Sequence, residues 1–494
     1  MTDTTYDAIP ASPPLDADTA SRNKLVIALL LVSTFVVFLN ETIMSVAIPH
    51  LMKDLGVTAS AAQWLTTAFL LTMAVVIPIT GFLLQRINTR PIFVLAMSIF
   101  TIGTAICAVA PGLELLVFGR VIQATGTAIM MPLLMTTVMT LVPPEGRGKT
   151  MGNISIVMSM APAIGPTIGG FILAHFDWRF MFILVLPIAV GALALGYRKM
   201  LNVSTPRYAP LDVLSVILSA LAFGGLVYGL SSFGEGASHA GEAPMIPAWV
   251  PIVVGVVAMA IFIARQLVLQ RQDKALLDLR TFESGTYRAA IILMAVAMMA
   301  LLGTVILLPI YLQNVLKLDT LQTGLLMLPG GLIMGLMGPV VGRLYDRLGP
   351  TLLLVPGTML VAGVMWALTL VGQDTQVWAI LVGHIAMSVG LALVFTPVFT
   401  ASMGSVRMEL YSHASATLGS VQQVAGAAGI ALFVAIMTIQ TANLTTEGLD
   451  QIAALSGGIR LAFFVGAIIS LFAVVAAFFV RKPEGGPGMS HGGH

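Results

Sequence analysis

Apolar residues in this chain come in long blocks separated by short polar segments rich in Gly, Pro and charge. A helix needs roughly 20 apolar residues to cross the hydrocarbon of a bilayer. Fourteen blocks reach that length, at residues 25–48, 63–84, 91–110, 113–141, 149–173, 178–197, 210–231, 247–268, 286–312, 322–344, 350–370, 376–400, 412–440 and 456–480. The pattern predicts an all-α membrane protein with fourteen transmembrane helices.

The charges orient these spans. With both termini in the cytoplasm, nineteen of the 24 Lys and Arg residues fall on cytoplasmic segments. Lys53, Arg179, Lys317 and Arg460 fall outside, and Arg120 lies within a span. This asymmetry is the one the positive-inside rule demands, and a missed helix would scramble it downstream.

The chain also resembles itself. Gly81-Phe-Leu-Leu-Gln-Arg86 closes the second span and Gly342-Arg-Leu-Tyr-Asp-Arg347 the tenth, at an offset of 261 residues. Gly119-Arg120 with Gly126 and Pro132 matches Gly383-His384 with Gly390 and Pro397, at an offset of 264 for the first three and 265 for the prolines. The small residues around Gly165 in span five meet those around Gly426 in span thirteen. Spans one to six and nine to fourteen therefore read as duplicated halves, an architecture of transporters with a central site. The expected organisation is a disordered cytoplasmic tail at 1–23, a six-helix lobe at 24–200, and two inserted helices with a linker at 201–285. A second six-helix lobe follows at 286–482, then a tail at 483–494.

Composition sharpens the class. The chain is 57% hydrophobic and 9% charged, with a mean hydropathy of +0.97, whereas soluble domains carry about 25% charge. Residues 1–21 hold four Asp and no basic residue, the wrong pattern for a removable signal peptide. A single cysteine, Cys107, leaves no internal disulfide. A net charge of +2 with scattered basic residues implies no nucleic-acid partner. No nucleotide-binding loop, metal-ligand cluster or nucleophile–base pair stands out, which disfavours an ATP-driven pump or an enzyme. No metal or cofactor is expected, and the C-terminal His491-Gly-Gly-His494 reads as a tail.

Glu41 is the conspicuous chemical feature, an acid among Val, Phe, Leu, Ile and Met. A carboxylate in hydrocarbon costs at least about 2.5–3.5 kcal/mol. Glu41 lies about seven residues, or roughly 10 Å, from the outer end of span one. Arg120 has similar depth in span four, and an arginine in a span needs a partner. Glu41 either couples protons or forms a permanent ion pair with Arg120 that locks the first six helices together. Burial favours the neutral acid and a neighbouring guanidinium the carboxylate, so a site alternating between them can load and release a proton.

The motifs now resemble a family. "GFLLQRINTR" (81–90) and "GRLYDRLG" (342–349) resemble the loop motif of the major facilitator superfamily, and "FGRVIQATG" (118–126) its fourth-helix motif. "APAIGPTIGG" (161–170) looks like the fifth-helix motif of its drug/proton antiporters, and "LNETIMSVAIP" (39–49) like the first-helix motif of the 14-helix EmrB/QacA branch. With "QWLTTAF" (63–69), "DWRFMF" (177–182) and "QQVAGAAG" (422–429), the chain is most similar to lincomycin-resistance exporters. The resemblance implies two pseudo-symmetric six-helix lobes plus two central helices, and efflux of amphipathic small molecules in exchange for protons. It implies a multi-pass protein of the cell (inner or plasma) membrane, which we expect to be a monomer powered by the proton gradient. Pro162, Gly165, Pro166, Gly169 and Gly170 carry the antiporter motif, either as close packing or as a hinge. Gln85, Arg86, Arg90, Asp346 and Arg347 carry the loop motifs. An Asp there beside a neighbouring helix N-terminus would latch the cytoplasmic side, and the arginines are otherwise topology signals.

Two departures matter. The branch commonly has Asp where this chain has Asn40, so its acid sits one residue on, about 100° around the helix. The first loop motif has Gln85 where Asp is usual, while its second copy keeps Asp346. Asn40, Gln123, Met130, Met158, Gln313, His384 and Gln422 are candidates to line a substrate cavity, with helix–helix bonding or packing as their alternative. Rival functions are a dedicated exporter of one metabolite, lipid or peptide, and a receptor or envelope-assembly protein without turnover.

Overall fold

The computed structural model describes residues 17–44, 47–57, 59–203, 206, 212–238 and 247–482. The residues outside it include most of the two expected tails and His491-Gly-Gly-His494.

The first half holds α1 (Ala17–Ile43), a short α2 (Ile48–Leu55), α3 (Ala59–Arg86), α4 (Thr89–Ala108), α5 (Leu113–Leu141), α6 (Arg147–His175) and α7 (Phe180–Lys199). Then come α8 (Val213–Ser238) and α9 (Trp249–Leu269). The second half holds α10 (Gly285–Ile310), α11 (Thr320–Leu348), α12 (Thr351–Leu368), α13 (Val377–Gly404), α14 (Tyr411–Thr446) and α15 (Gln451–Ala477). Fourteen of these are long. Thirteen are long and apolar enough to cross a membrane. The other, α6, is diluted by Ser, Gly, Asn and Pro, yet at 29 residues it is as long as its neighbours.

Most ends match the apolar blocks, and α5 matches its block at both ends. The first does not. α1 starts at Ala17, inside the stretch expected to be tail, and stops at Ile43 instead of 48. Glu41 therefore sits in the last turn of α1, not two turns inside it.

The duplication is visible in the packing. In the first half α1 packs on α5, α6 and α7, α3 on α5, and α4 on α5 and α7. In the second half α10 packs on α13, α14 and α15, α11 on α13, and α12 on α13 and α15. Each pairing recurs when α1 and α3–α7 are replaced in order by α10–α15. The halves meet through α6 against α11 and α3 against α14, again equivalent pairs. The inserted hairpin packs through α8 on both α3 and α14, along this second seam. Its base is fixed by Asp212, which accepts from Arg265 Nε at 2.6 Å and Nη2 at 2.7 Å. The bonds from Arg265 hold the Asp212 carboxyl well below the usual carboxylate range.

Small residues let the α6–α11 seam close. A Cβ at Gly152 would collide with the carbonyl of Gly338, and one at Gly342 with that of Gly148. Ser155 and Thr396 share a hydroxyl–hydroxyl bond of 2.6 Å from α6 to α13. Gly152→Ala should therefore push this end open. A cysteine placed at the buried Ser155 should then react several-fold faster with a water-soluble maleimide than in the parent. Equal rates would show that the seam tolerates the methyl group.

Candidate functional site

Arg120 is 2% exposed, and the hydrogen bonds of its guanidinium go to neutral groups. Nη1 donates to Gln123 Oε1 at 2.6 Å and to Asn40 Oδ1 at 3.2 Å, and Nε to the Leu65 carbonyl at 3.5 Å. Its Cζ lies 4.0 Å from the centre of the Phe69 ring, in cation–π range. Gln123 passes the chain on, donating to Thr104 Oγ1 at 2.8 Å. The elements explain the convergence. Asn40 is in the last turns of α1, Leu65 and Phe69 lie one turn apart on α3, and Gln123 is one turn beyond Arg120 on α5.

Glu41 is not part of this network. Among the described residues no ion pair joins it to Arg120. In the conformation described, Asn40 Oδ1 accepts from the guanidinium instead, and Glu41 follows it on α1, about 100° further around the helix. Glu41 Oε2 is buried and has no hydrogen-bond partner. Buried polar atoms are rarely left so, and each one asks for an explanation. The next residue, Thr42, ties this turn to α6. Its hydroxyl contacts the carbonyls of Phe38 and Leu39 at 3.1 Å and of Ala161 at 3.0 Å. A Cβ at Gly165 would run into the Thr42 side chain. The small-residue motif therefore packs on the helix turn that carries Glu41. α6 runs unbroken through Pro162 and Pro166, Gly169 is buried, and Gly170 faces open space.

The loop motifs do unlike things. Asp346, on α11, accepts the backbone N–H of Gly148 at 2.9 Å and of Lys149 at 3.0 Å. It thus caps the N-terminus of α6 in the opposite half, where a negative charge also meets the helix dipole. The equivalent Gln85 instead donates through Nε2 to the carbonyl of Glu409 at 3.1 Å, just before α14. Gly81 keeps α3 close to α14, where a Cβ would lie 3.1 Å from Ala416 Cβ. Arg86 lies 6.0 Å from the Phe82 ring centre, and Arg347 is exposed. Arg90 is not at the seam. It ties α4 to α7, donating to the Tyr197 carbonyl at 2.8 Å.

The cavity candidates separate. Gln123 and Met130 are fully buried inside the first half, so packing and helix–helix bonding take them. Met158 on α6 and Gln313, in a π-helical turn at Tyr311–Val315, are half-buried. Gln422 is half-buried, its Nε2 3.4 Å from Met294 Sδ. His384, the counterpart of Arg120, sits 3.1 Å through Nε2 from the Met327 carbonyl, and its buried Nδ1 has no partner. Sequence reasoning passed over Leu65 and Phe69, although both lie in the "QWLTTAF" stretch, and over His413, which is 3% exposed near the start of α14. Nothing in the sequence around His413 marks it.

Comparison with known proteins agrees with the fold and the motifs. Residues 30–430 match the family model of the Major Facilitator Superfamily. An uncharacterized MFS-type transporter of Bacillus subtilis, YcnB, is 39% identical over 94% of this chain and 96% of its own length. The lincomycin resistance protein LmrB of Listeria monocytogenes is 38% identical over 93% of this chain and 97% of its own. Among solved structures, the human organic anion transporter MFSD10 superposes with a TM-score of 0.66 over 93% of this chain and 99% of that one, at 15% identity.

Proposed function

The chain belongs to the major facilitator superfamily, and on that premise we propose that it exports amphipathic small molecules from the cell in exchange for protons, by alternating access. The observation that carries this reading is the unpartnered, buried Oε2 of Glu41 beside an arginine already satisfied by neutral groups. A buried carboxylate with no partner is costly, and the neutral acid is less so. Glu41 is thus the group to carry the proton. Arg120, one helix face away, is the group to expel the proton when the α1–α5 contact rearranges. Lincomycin, named in a relative 38% identical to this chain, is the first substrate to try.

The excess of basic residues on one side supports a cytoplasmic location for the end carrying Asp346 and for both termini. The capping of α6 by Asp346 across the seam supports a closed cytoplasmic end in this conformation, as an outward-facing state requires. Asn40 and Gln123 hold Arg120 in this state and release it in the other. Gln422, Gln313, Met158 and His384 remain the polar and adaptable residues for a ligand between the halves.

Substrate charge tests the mechanism. With one acid and one proton per cycle, exchange for a monovalent cation moves no net charge, and the pH gradient alone drives it. Exchange for a neutral compound moves one charge, and the potential adds about 2.3 kcal/mol per 100 mV, or roughly fiftyfold in accumulation. In inverted vesicles with the potential collapsed by valinomycin and potassium, ethidium transport should survive and transport of a neutral amphiphile should slow. If neither responds to the gradient, the exchange reading fails.

A further inference from the structure

A groove of about 650 Å³ opens on the outer surface of the second half, between the start of α10 and the end of α15. Its wall is apolar and faces outward. Ile292 is 51% exposed, Phe472 64%, Val475 59% and Phe479 64%. Since α10 and α15 are both membrane spans, these side chains meet lipid rather than water. The rim is cationic. Arg288 lies in the first turn of α10 and Arg481 just beyond the end of α15, so both stand at headgroup level. Both are exposed, and among the described residues no Asp or Glu lines the groove and neither arginine forms an ion pair. Gly285 and Thr286 form part of the floor between them.

We propose that this groove binds one anionic glycerophospholipid of the leaflet at the basic end, its phosphate between Arg288 and Arg481 and an acyl chain along Ile292, Phe472 and Phe479. The two halves of the groove select that class together. A guanidinium pair matches a phosphodiester in charge and geometry, and a soluble anion has no use for the apolar wall. The site also adjoins the latch. Lys482, next to Arg481, donates to the carbonyl of Asp346 at 3.5 Å, and Thr351 to the carbonyl of Val480 at 2.9 Å. The bound lipid therefore braces the end of α15 against the helix whose carboxylate closes the seam.

The test uses the full chain, purified from micelles containing equal phosphatidylglycerol and phosphatidylcholine, with retained lipid counted by native mass spectrometry. Two arginines at about 1 kcal/mol each for anionic lipid correspond to roughly thirtyfold selectivity. The parent should retain one phosphatidylglycerol with that preference, and the Arg288→Gln/Arg481→Gln variant should lose it. Ile292→Trp fills the groove without touching the charges and should also lower retention, which covers the case where the double variant misfolds. A parent with no preference, or variants that retain phosphatidylglycerol as the parent does, would overturn the site. Displacement of the lipid by millimolar inorganic phosphate would make it an anion site and overturn the lipid assignment.

Discussion

Glu41→Gln should give a folded, membrane-inserted protein that no longer concentrates substrate against a gradient. The amide matches the carboxyl in size, and Glu41 makes no hydrogen bond or ion pair among the described residues, so folding loses little. Energy coupling loses everything, because the side chain can no longer exchange a proton. One proton across a one-unit pH gradient is worth about 1.4 kcal/mol, or about tenfold in accumulation, and the variant should show none of it. Downhill movement of substrate should persist. The measurement is accumulation of lincomycin in inverted vesicles at matched expression, with and without an imposed pH gradient. Gradient-driven accumulation equal to that of the parent would assign proton coupling to another group, and His384, with its unpartnered Nδ1, would be the next to change.

The second large effect separates the two loop motifs. Gly148 and Lys149 donate to different oxygens of Asp346, so Asp346→Asn keeps an acceptor for only one of them, sets an amide NH2 against the other N–H, and removes the charge that meets the N-terminus of α6. Hydrogen bonds to charged groups contribute about 1.5–3 kcal/mol. Asp346 is half-exposed, so screening reduces this, and about 1–1.5 kcal/mol, or roughly tenfold in the closed population, is a fair expectation. Gln85→Ala removes one exposed neutral bond and should stay within about twofold. Transport at matched expression should fall in that order. Equal losses would mean that the capping of α6 is not the latch.

Much of this molecule is readable in its chemistry. Fourteen apolar blocks became fourteen long helices, since apolar length is what a bilayer selects. The capping of α6 by Asp346 was legible because it is a local rule, an acid at a helix end meeting another helix N-terminus. The end of α1 was not. Residues 44–48 are as apolar as those before them, and hydropathy records the solvent a segment prefers, not where its backbone turns. The partner of Arg120 was missed for a related reason. Matching charge to charge picks out Glu41, whereas a guanidinium satisfies its donors equally well with amide oxygens, a carbonyl and a ring face. Asn40, Gln123, Leu65 and Phe69 carry no formal charge, and only the packing of α1, α3 and α5 brings them together.

Proton release on binding tests the account most directly. If Glu41 holds the proton that export exchanges, saturating the purified protein with lincomycin in weakly buffered detergent should release up to one proton per molecule. The yield should fall as the medium is made alkaline enough to deprotonate Glu41 beforehand, and Glu41→Gln should release none while still binding. Equal proton release by the parent and Glu41→Gln, or binding with no release at any pH, would contradict it.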